Sequence, residues 1–443
     1  MSTDGHAGST VATHAPDIES AGFVRIVTRA DGDALAASGI LAAALSEYGI
    51  PFQVTVARTV GDRTDRVQGQ DDRDSDSDEL TVVFGAVDAG NATAVVRLDS
   101  DDRPATLAAT DLVREFSADG STAVTGVDPV LALAGLVAAG VEPGAGESEW
   151  LLESARERGL VERRPGVAIP TADPVDGLAH STRVCAPWSG DPEATRDALA
   201  GTELEFAEPA SFDADAHRTI GSLVALDVVG AEAATDAAAT SIQRVLQPYA
   251  ITGTGIGTGS DSEDEYAFST VGGYADVLEA TARTEPGTGA ALAMGHDAVG
   301  PALSAWRTRG KRAHDALETA STGRYDGLFV VGIDDGPVEA VARLAVEFRS
   351  PEPTVLAIGD GEAAIATRES ESLAATVEAV TRELDADGIR AEYDVGHRRG
   401  YLQYDVTVDD AAADDSVGGD ESAEDEARTV DNSTIIAAVR EHY

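Results

Sequence analysis

Hydrophobic and polar positions divide this chain into two stretches where strands alternate with helices and, between them, one that is mainly helical. After a polar lead over residues 1–20, apolar runs of strand character fall at Phe23–Ile26, Phe52–Val56, Leu80–Phe84 and Thr93–Leu98. Leu35–Tyr48 carries small apolar residues at helical spacing, and Pro129–Gly140 and Glu149–Arg158 also read as helices. Strands interleaved with helices in this way predict a parallel sheet covered on both faces. The stretch 61–79 is so charged that it predicts a low-complexity loop that does not pack. From about Asp191 to Thr322 the pattern is mainly helical, with a Gly- and Asp-rich break at Gly253–Glu265. A second α/β stretch runs through strand Tyr325–Ile333, helix Pro337–Phe348, strand Thr354–Ile358, helix Ser372–Leu384 and strand Tyr401–Val408. An acidic tract, Asp409–Asp431, precedes a last helix, Ser433–His442, for which Asp431 or Ser433 is the cap.

The expected organisation is a disordered lead over 1–20, a first domain over 21–190, a helical insertion or connector over 191–322, and a smaller C-terminal α/β domain over 323–443 with an acidic insertion at 409–431. A length of 443 residues is too great for one ordinary domain. With 43% hydrophobic residues the chain can bury sizeable cores, and with aromatics at only 5% it builds them from Ala, Val and Leu. The net charge is −47, and Lys311 is the one lysine among 32 basic residues. This balance reads as adaptation to molar intracellular salt, where carboxylates keep the surface hydrated and screening removes most self-repulsion. It is therefore no argument against a nucleic-acid partner. A single cysteine, Cys185, excludes a disulfide or a cysteine metal cluster within one chain. No apolar run approaches the ~18–20 residues of a membrane span, and the first residues lack a positive n-region and an apolar h-region. A soluble cytoplasmic protein without a membrane partner is expected.

The segment FVRIVTRADGDALAASGILAAAL, Phe23–Leu45, is a strand, an acidic turn and a helix. Such a unit presents carboxylates just ahead of a helix N-terminus. Three acidic points follow strand ends: Asp31 with Asp33, then Asp88, then Asp99 with Asp101 and Asp102. In a parallel sheet these tips line one crevice, and converging carboxylates suit a pair of divalent cations ~3.5–4 Å apart that cuts phosphodiesters. The competing reading, in a chain with 79 acidic residues, is that these aspartates are solvated surface turns. The densest basic cluster, Arg307–Arg312 after Trp306, reads as the solvated end of a helix or as a phosphate patch with an aromatic stacker. His296 and Asp297 could mimic a metal pair or be structural. The glycines near strand ends lack a Walker lysine or a GxGxxG spacing, so nucleotide binding is not supported.

In order and spacing these motifs resemble the DHH phosphoesterase superfamily, in the branch of archaeal RecJ-like, GINS-associated nucleases, over about Phe23 to Leu402. The first motif of that family, His-x-Asp-x-Asp-Gly, falls on Val27-Thr28-Arg29-Ala30-Asp31-Gly32. Its second is a single Asp, here Asp88 in VVFGAVDAG, and the Asp-His-His falls on Asp99-Ser100-Asp101. The closing Gly-Gly-His-x-x-Ala-Ala-Gly has its counterpart in Val395-Gly396-His397-Arg398-Arg399-Gly400. The resemblance implies a parallel-sheet DHH domain, a helical insertion and a DHHA1-like nucleic-acid-binding domain.

In active members the first and third motifs hold two manganese ions. Here Val27, Arg29 and Ser100 stand at ligand positions, leaving Asp31, Asp88 and Asp99, with Asp101 as a further candidate. The resemblance thus implies a decayed two-metal site, with no cofactor, or Mn²⁺ or Mg²⁺ if activity is retained. Two readings of Arg29 stay open: a guanidinium in place of the lost cations, or a solvent-facing side chain. Gly396, His397, Arg398, Arg399 and Gly400 are the expected single-strand contacts, with Arg368 in IATRES as a weaker one. The implied role is a single-stranded-DNA-binding replication or repair factor and scaffold, partnered by GINS or the MCM helicase. The alternatives are an active RecJ-type exonuclease working through Asp31, Asp88 and Asp99, and a small phosphodiesterase that needs the same ligands.

Overall fold

The computed structural model of the protein describes residues 15–68, 78–88, 95–98, 103–116, 127–202, 204, 212–252, 267–369, 372–406 and 430–443. Four strands form the first sheet: β1 (Phe23–Arg29), β2 (Phe52–Ala57), β3 (Glu79–Phe84) and β4 (Val95–Arg97). Their order is β2-β1-β3-β4, all parallel, with Ile26 opposite both Val54 and Val82. This is the α/β parallel sheet that the alternating pattern predicts. Between β1 and β2 runs the helix Gly32–Tyr48, capped by Asp31, whose side chain accepts from the Ala34 amide. It ends at Gly49, whose φ of 71° only glycine adopts readily. The helices Ala105–Phe116 and Pro129–Ala138 pack on it. Asp128 caps the second of these, with Pro129 at its first turn.

The helix Val271–Thr284, far along the chain, lies against both Gly32–Tyr48 and Pro129–Ala138. Its Val277 and Leu278, and Trp306 from the helix Val299–Thr319, are fully buried in the core of the first sheet. A short antiparallel pair, β5 (Val161–Arg163) with β6 (Tyr249–Ile251), ties the connector to the helical region.

The C-terminal sheet has six strands: β7 (Ser321–Arg324), β8 (Leu328–Gly332), β9 (Thr354–Ile358), β10 (Glu362–Thr367), β11 (Ile389–Gly396) and β12 (Arg399–Val406). Their order is β11-β12-β10-β9-β8-β7, and only β8 and β9 pair in parallel. The last helix, Asn432–His442, is capped by Asp431, which accepts from the Ser433 amide.

Several elements differ from expectation, the first being the end of the expected disordered lead, where Ala15–Glu19 is a helix because Ile18 is fully buried in the first core. Part of the charged stretch 61–79 is the helix Val60–Gln68, because Arg63 and Val67 supply one buried side of it. A charged residue with fixed partners can substitute for an apolar one there. The strand expected at Thr93–Leu98 is described only as Val95–Arg97. Strands β10 and β11 carry no apolar run that predicts them, since β10 is alanine-rich and β11 alternates apolar with charged residues. The helix expected over Pro337–Phe348 is Val338–Leu344 followed by a π turn, Ala345–Arg349. Among the described residues no helix is long and apolar enough to cross a membrane. Asp99, Ser100, Asp101, Asp102 and the break at Gly253–Glu265 lie outside the described residues, as does most of the tract at Asp409–Asp431.

Candidate functional site

The end of β1 points its turn at the C-terminal sheet. Asp31 is 0% exposed. Its Oδ1 accepts from the Ala34 amide at 2.8 Å, and its Oδ2 is paired with Arg29 and, at 2.9 Å, with Arg399. Arg399 is the first residue of β12, and its other nitrogen donates to Glu279 at 2.8 Å. Glu279 closes the ring by accepting from the Gly32 amide at 2.9 Å, 247 residues away in sequence. Arg29 also donates to the Val395 carbonyl at 3.4 Å.

One helical turn beyond Glu279, Arg283 pairs with Glu339 at 2.6 Å. Arg309 and Arg58 approach the same carboxylate at 3.6 and 3.8 Å. Arg63 is fully buried and donates to Asp394 on β11 at 2.6 Å, and to the carbonyls of Ala86 and Ala57 at 2.8 and 3.3 Å. Thr59 adds a hydrogen bond to Glu392 at 2.8 Å. Two lobes that share no strand are thus joined by buried charge.

The electrostatics follow from this geometry. Burial works to raise the Asp31 carboxyl, and the Arg29, Arg399 and Arg283 guanidiniums override it, holding it far below the usual carboxylate range. Burial likewise works to raise Glu279, and Arg399 and Arg283 bring it down to about 2. Asp33 goes the other way. Burial and the neighbouring Asp31 push it up to about 6, although it accepts from the Ala105 and Thr106 amides at 2.8 and 3.0 Å and from the Thr106 hydroxyl at 2.6 Å.

Asp33 therefore contributes stability that is full below its unfolded value of 3.8 and is lost as pH rises through about 6. The stability difference between wild type and Asp33→Asn, followed by urea melts, should shrink as pH rises from 4 to 7. A difference that is flat or grows over that interval would contradict it.

The residues singled out by sequence are distributed as follows. Asp88 is exposed, with its amide donating to Thr64 at 3.1 Å and its carbonyl accepting from Gln68 at 3.0 Å. Gly396, His397, Arg398, Arg399 and Gly400 form the β11–β12 hairpin turn, with Arg398 at φ 58°. His397 and Arg398 are exposed, while Arg399 turns inward to Asp31. Arg368 is held on backbone carbonyls, those of Val346, Ser350 at 3.4 Å and Glu352 at 2.7 Å.

The Arg307–Arg312 cluster lies inside the helix Val299–Thr319 rather than at its end. Arg307, Lys311 and Arg312 pair with Asp176, Asp315 and Asp335, and Arg309 is buried against Glu339. Gly310 permits the helix crossing, since a Cβ there would stand 1.9 Å from the His180 carbonyl oxygen. Trp306 is buried and donates to Asp276 at 2.9 Å, so it offers no stacking face. His296 and Asp297 are both exposed. Glu279, Arg283, Glu339, Arg63 and Asp394 were not anticipated. The available signal was a set of acidic and basic residues, Asp276, Glu279 and Arg283, inside an otherwise apolar helix.

A cleft of about 610 Å³ opens beside the network, lined by Glu279, Arg283, Arg309, Arg368 and the hairpin Gly396–Gly400 among others. Arginines outnumber carboxylates along its walls, the reverse of the whole chain with its 32 basic and 79 acidic residues.

A family model described as the C-terminal domain of uncharacterized protein rrnAC1427 matches residues 320–441. The uncharacterized protein rrnAC1427 of Haloarcula marismortui is 42% identical over 388 residues, which is 86% of this chain and 92% of that protein. The chain belongs to the rrnAC1427 family. This rrnAC1427-family chain shares its fold with CDC45 from Entamoeba histolytica, at TM-score 0.53 and 8% identity over 90% of this chain and 95% of that one. RecJ from Thermus thermophilus in complex with Mn²⁺ aligns at TM-score 0.39 and 15% identity, over 90% of this chain and 52% of that one. The fold is therefore CDC45-like.

The residues present do not fit a divalent cation at Asp31. Both of its oxygens are engaged, one of them by two guanidiniums. A doubly charged ion 4 Å from either guanidinium would be repelled by about 8 kcal/mol at an effective dielectric near 20. Among the described residues no group of three or more His, Cys, Asp or Glu side chains could hold a metal ion.

Proposed function

We propose that this protein is a single-stranded-DNA-binding replication or repair factor that works as a scaffold, without two-metal phosphodiester cleavage. The observation that carries the reading is the pairing of Asp31 with Arg29 and Arg399. In the motif that resembles the DHH superfamily, Asp31 stands at a position where active members place a metal ligand. Here fixed guanidiniums neutralise it, so the crevice keeps its charge balance without an ion. The arginine-lined cleft beside it supplies the complementary surface for a phosphodiester backbone. The exposed hairpin residues His397 and Arg398 are its reachable donors.

The fold shared with CDC45 favours association with replication-helicase components, of which GINS and MCM are the candidates. Co-purification from a host in molar KCl tests that part. An exonuclease acting through Asp31, Asp88 and Asp99 would need Asp31 as a ligand, against both of its ion pairs.

Binding of a labelled single-stranded oligodeoxynucleotide, read by anisotropy across a KCl series with and without Mn²⁺, tests the DNA reading. The strand should bind and stay full-length. Arg398→Gly keeps the turn, because glycine accepts the φ of 58°. It should weaken binding and reduce the slope of log K against log salt by about 0.7, one phosphate contact. Strand degradation, or an unchanged slope, would contradict the proposal.

A further inference from the structure

The inner wall of the cleft carries three guanidiniums that the protein itself only partly neutralises. Arg183 lies in the connector after helix Pro174–His180, Arg244 in the last turn of helix Asp236–Val245, and Arg343 in helix Val338–Leu344. All three line the cleft. The Arg183 Nε is shut off from solvent and has no hydrogen-bond partner. Its guanidinium forms no ion pair with any described residue.

The reason lies in the nearest carboxylate. Asp276 accepts from the Ser181 hydroxyl at 3.1 Å, the Thr182 amide at 3.1 Å, the Thr182 hydroxyl at 2.5 Å and the Trp306 indole at 2.9 Å. What remains of its charge meets Arg343 at 3.3 Å. Burial and then the adjacent Arg343 hold Arg183 below the ordinary arginine range, with Asp276 and Glu347 only partly offsetting them. Arg244 adds a third repulsive charge and is itself exposed to the cleft.

Retaining three guanidiniums in one place with so little counter-charge is costly for a chain whose net charge is −47, and an anionic ligand relieves that cost. We propose that Arg183, Arg244 and Arg343 form a site for a phosphate dianion, supplied as the terminal phosphomonoester of a strand or as free phosphate. The planar guanidinium fork matches phosphate oxygens in pairs, and a monoester carries close to two charges at neutral pH. A backbone phosphodiester, with one charge, would leave the cluster only partly neutralised. The strand-borne form of the ligand rests on the cleft reading above; the anion site itself does not.

Inorganic phosphate titrated calorimetrically into the full chain, at constant ionic strength in KCl, should give saturable binding to one site. Arg244→Ala, at an exposed position, should weaken it about tenfold or more, as should Arg183→Lys, which keeps the charge and loses the fork. Absence of saturable binding, or affinity unchanged in both variants, would overturn the site. Oligonucleotides with phosphate and hydroxyl ends, compared by anisotropy, then separate the sources. A preference for the phosphate end that inorganic phosphate abolishes assigns the ligand to a strand, and equal binding assigns it to free phosphate. Hydroxyl- and phosphate-ended strands that both fail to bind, beside saturable phosphate binding, would sink the cleft reading and leave the anion site standing.

Discussion

Asp31→Ala is expected to destabilise the folded chain by about 3–5 kcal/mol, because it strips a buried carboxylate from one buried guanidinium, Arg29, and one part-buried guanidinium, Arg399. Arg29 would lose this carboxylate while keeping its bond to the Val395 carbonyl, and Arg399 would keep Glu279. The amide of Ala34 would also lose its cap, a loss of about 1 kcal/mol on its own. The sign of the effect discriminates between accounts. Were Asp31 one of several carboxylates converging on an absent ion, its removal would relieve repulsion and stabilise the metal-free chain. Urea melts at fixed KCl decide the sign, and stability unchanged or raised in the variant would sink the ion-pair account. Arg29→Ala should cost less than Asp31→Ala, since Asp31 keeps Arg399. The double variant should fall well short of the sum, because both changes remove the same contact.

Arg63→Ala is expected to have an effect of similar size, about 3–5 kcal/mol, for the same physical reason. Arg63 and Asp394 have side chains 0% and 3% exposed and meet at 2.6 Å. Their positions make the effect more than local. Arg63 belongs to the helix Val60–Gln68 beside the first sheet, and Asp394 to β11 of the second. Loss of the guanidinium abandons a buried carboxylate together with two carbonyls that close the end of β2 and the loop after β3. Melting of wild type should be one cooperative transition, and Arg63→Ala should separate it into two as the lobes uncouple. Asp394→Ala should behave alike. A single transition within about 1 kcal/mol of wild type would mean that the joint is held elsewhere.

The sequence disclosed what depends on near neighbours. The β1–turn–helix unit was legible because an apolar run, an acidic cap and small helical residues lie side by side from Phe23 to Tyr48. The proximity of Arg29 to Asp31 was visible for the same reason. The helix Val60–Gln68 was hidden by its charge, since its burial depends on Arg63 finding Asp394 331 residues later. Glu279 meets Gly32 and Arg399 only after Val271–Thr284 has packed on the first sheet, and no local periodicity encodes that. Arg399 was grouped with its neighbours as a strand contact. The β11–β12 register divides them, sending Arg399 inward and leaving His397 and Arg398 at the turn.

The central claim is that guanidiniums, not cations, balance the charge at Asp31. Manganese bound per chain, measured at saturation in molar KCl on wild type and Asp31→Ala together with cleavage of a labelled single strand, tests it most directly. The expected result is no specific manganese in either protein and an intact strand in both. Two manganese ions per wild-type chain, lost with Asp31 and accompanied by strand cleavage, would contradict it.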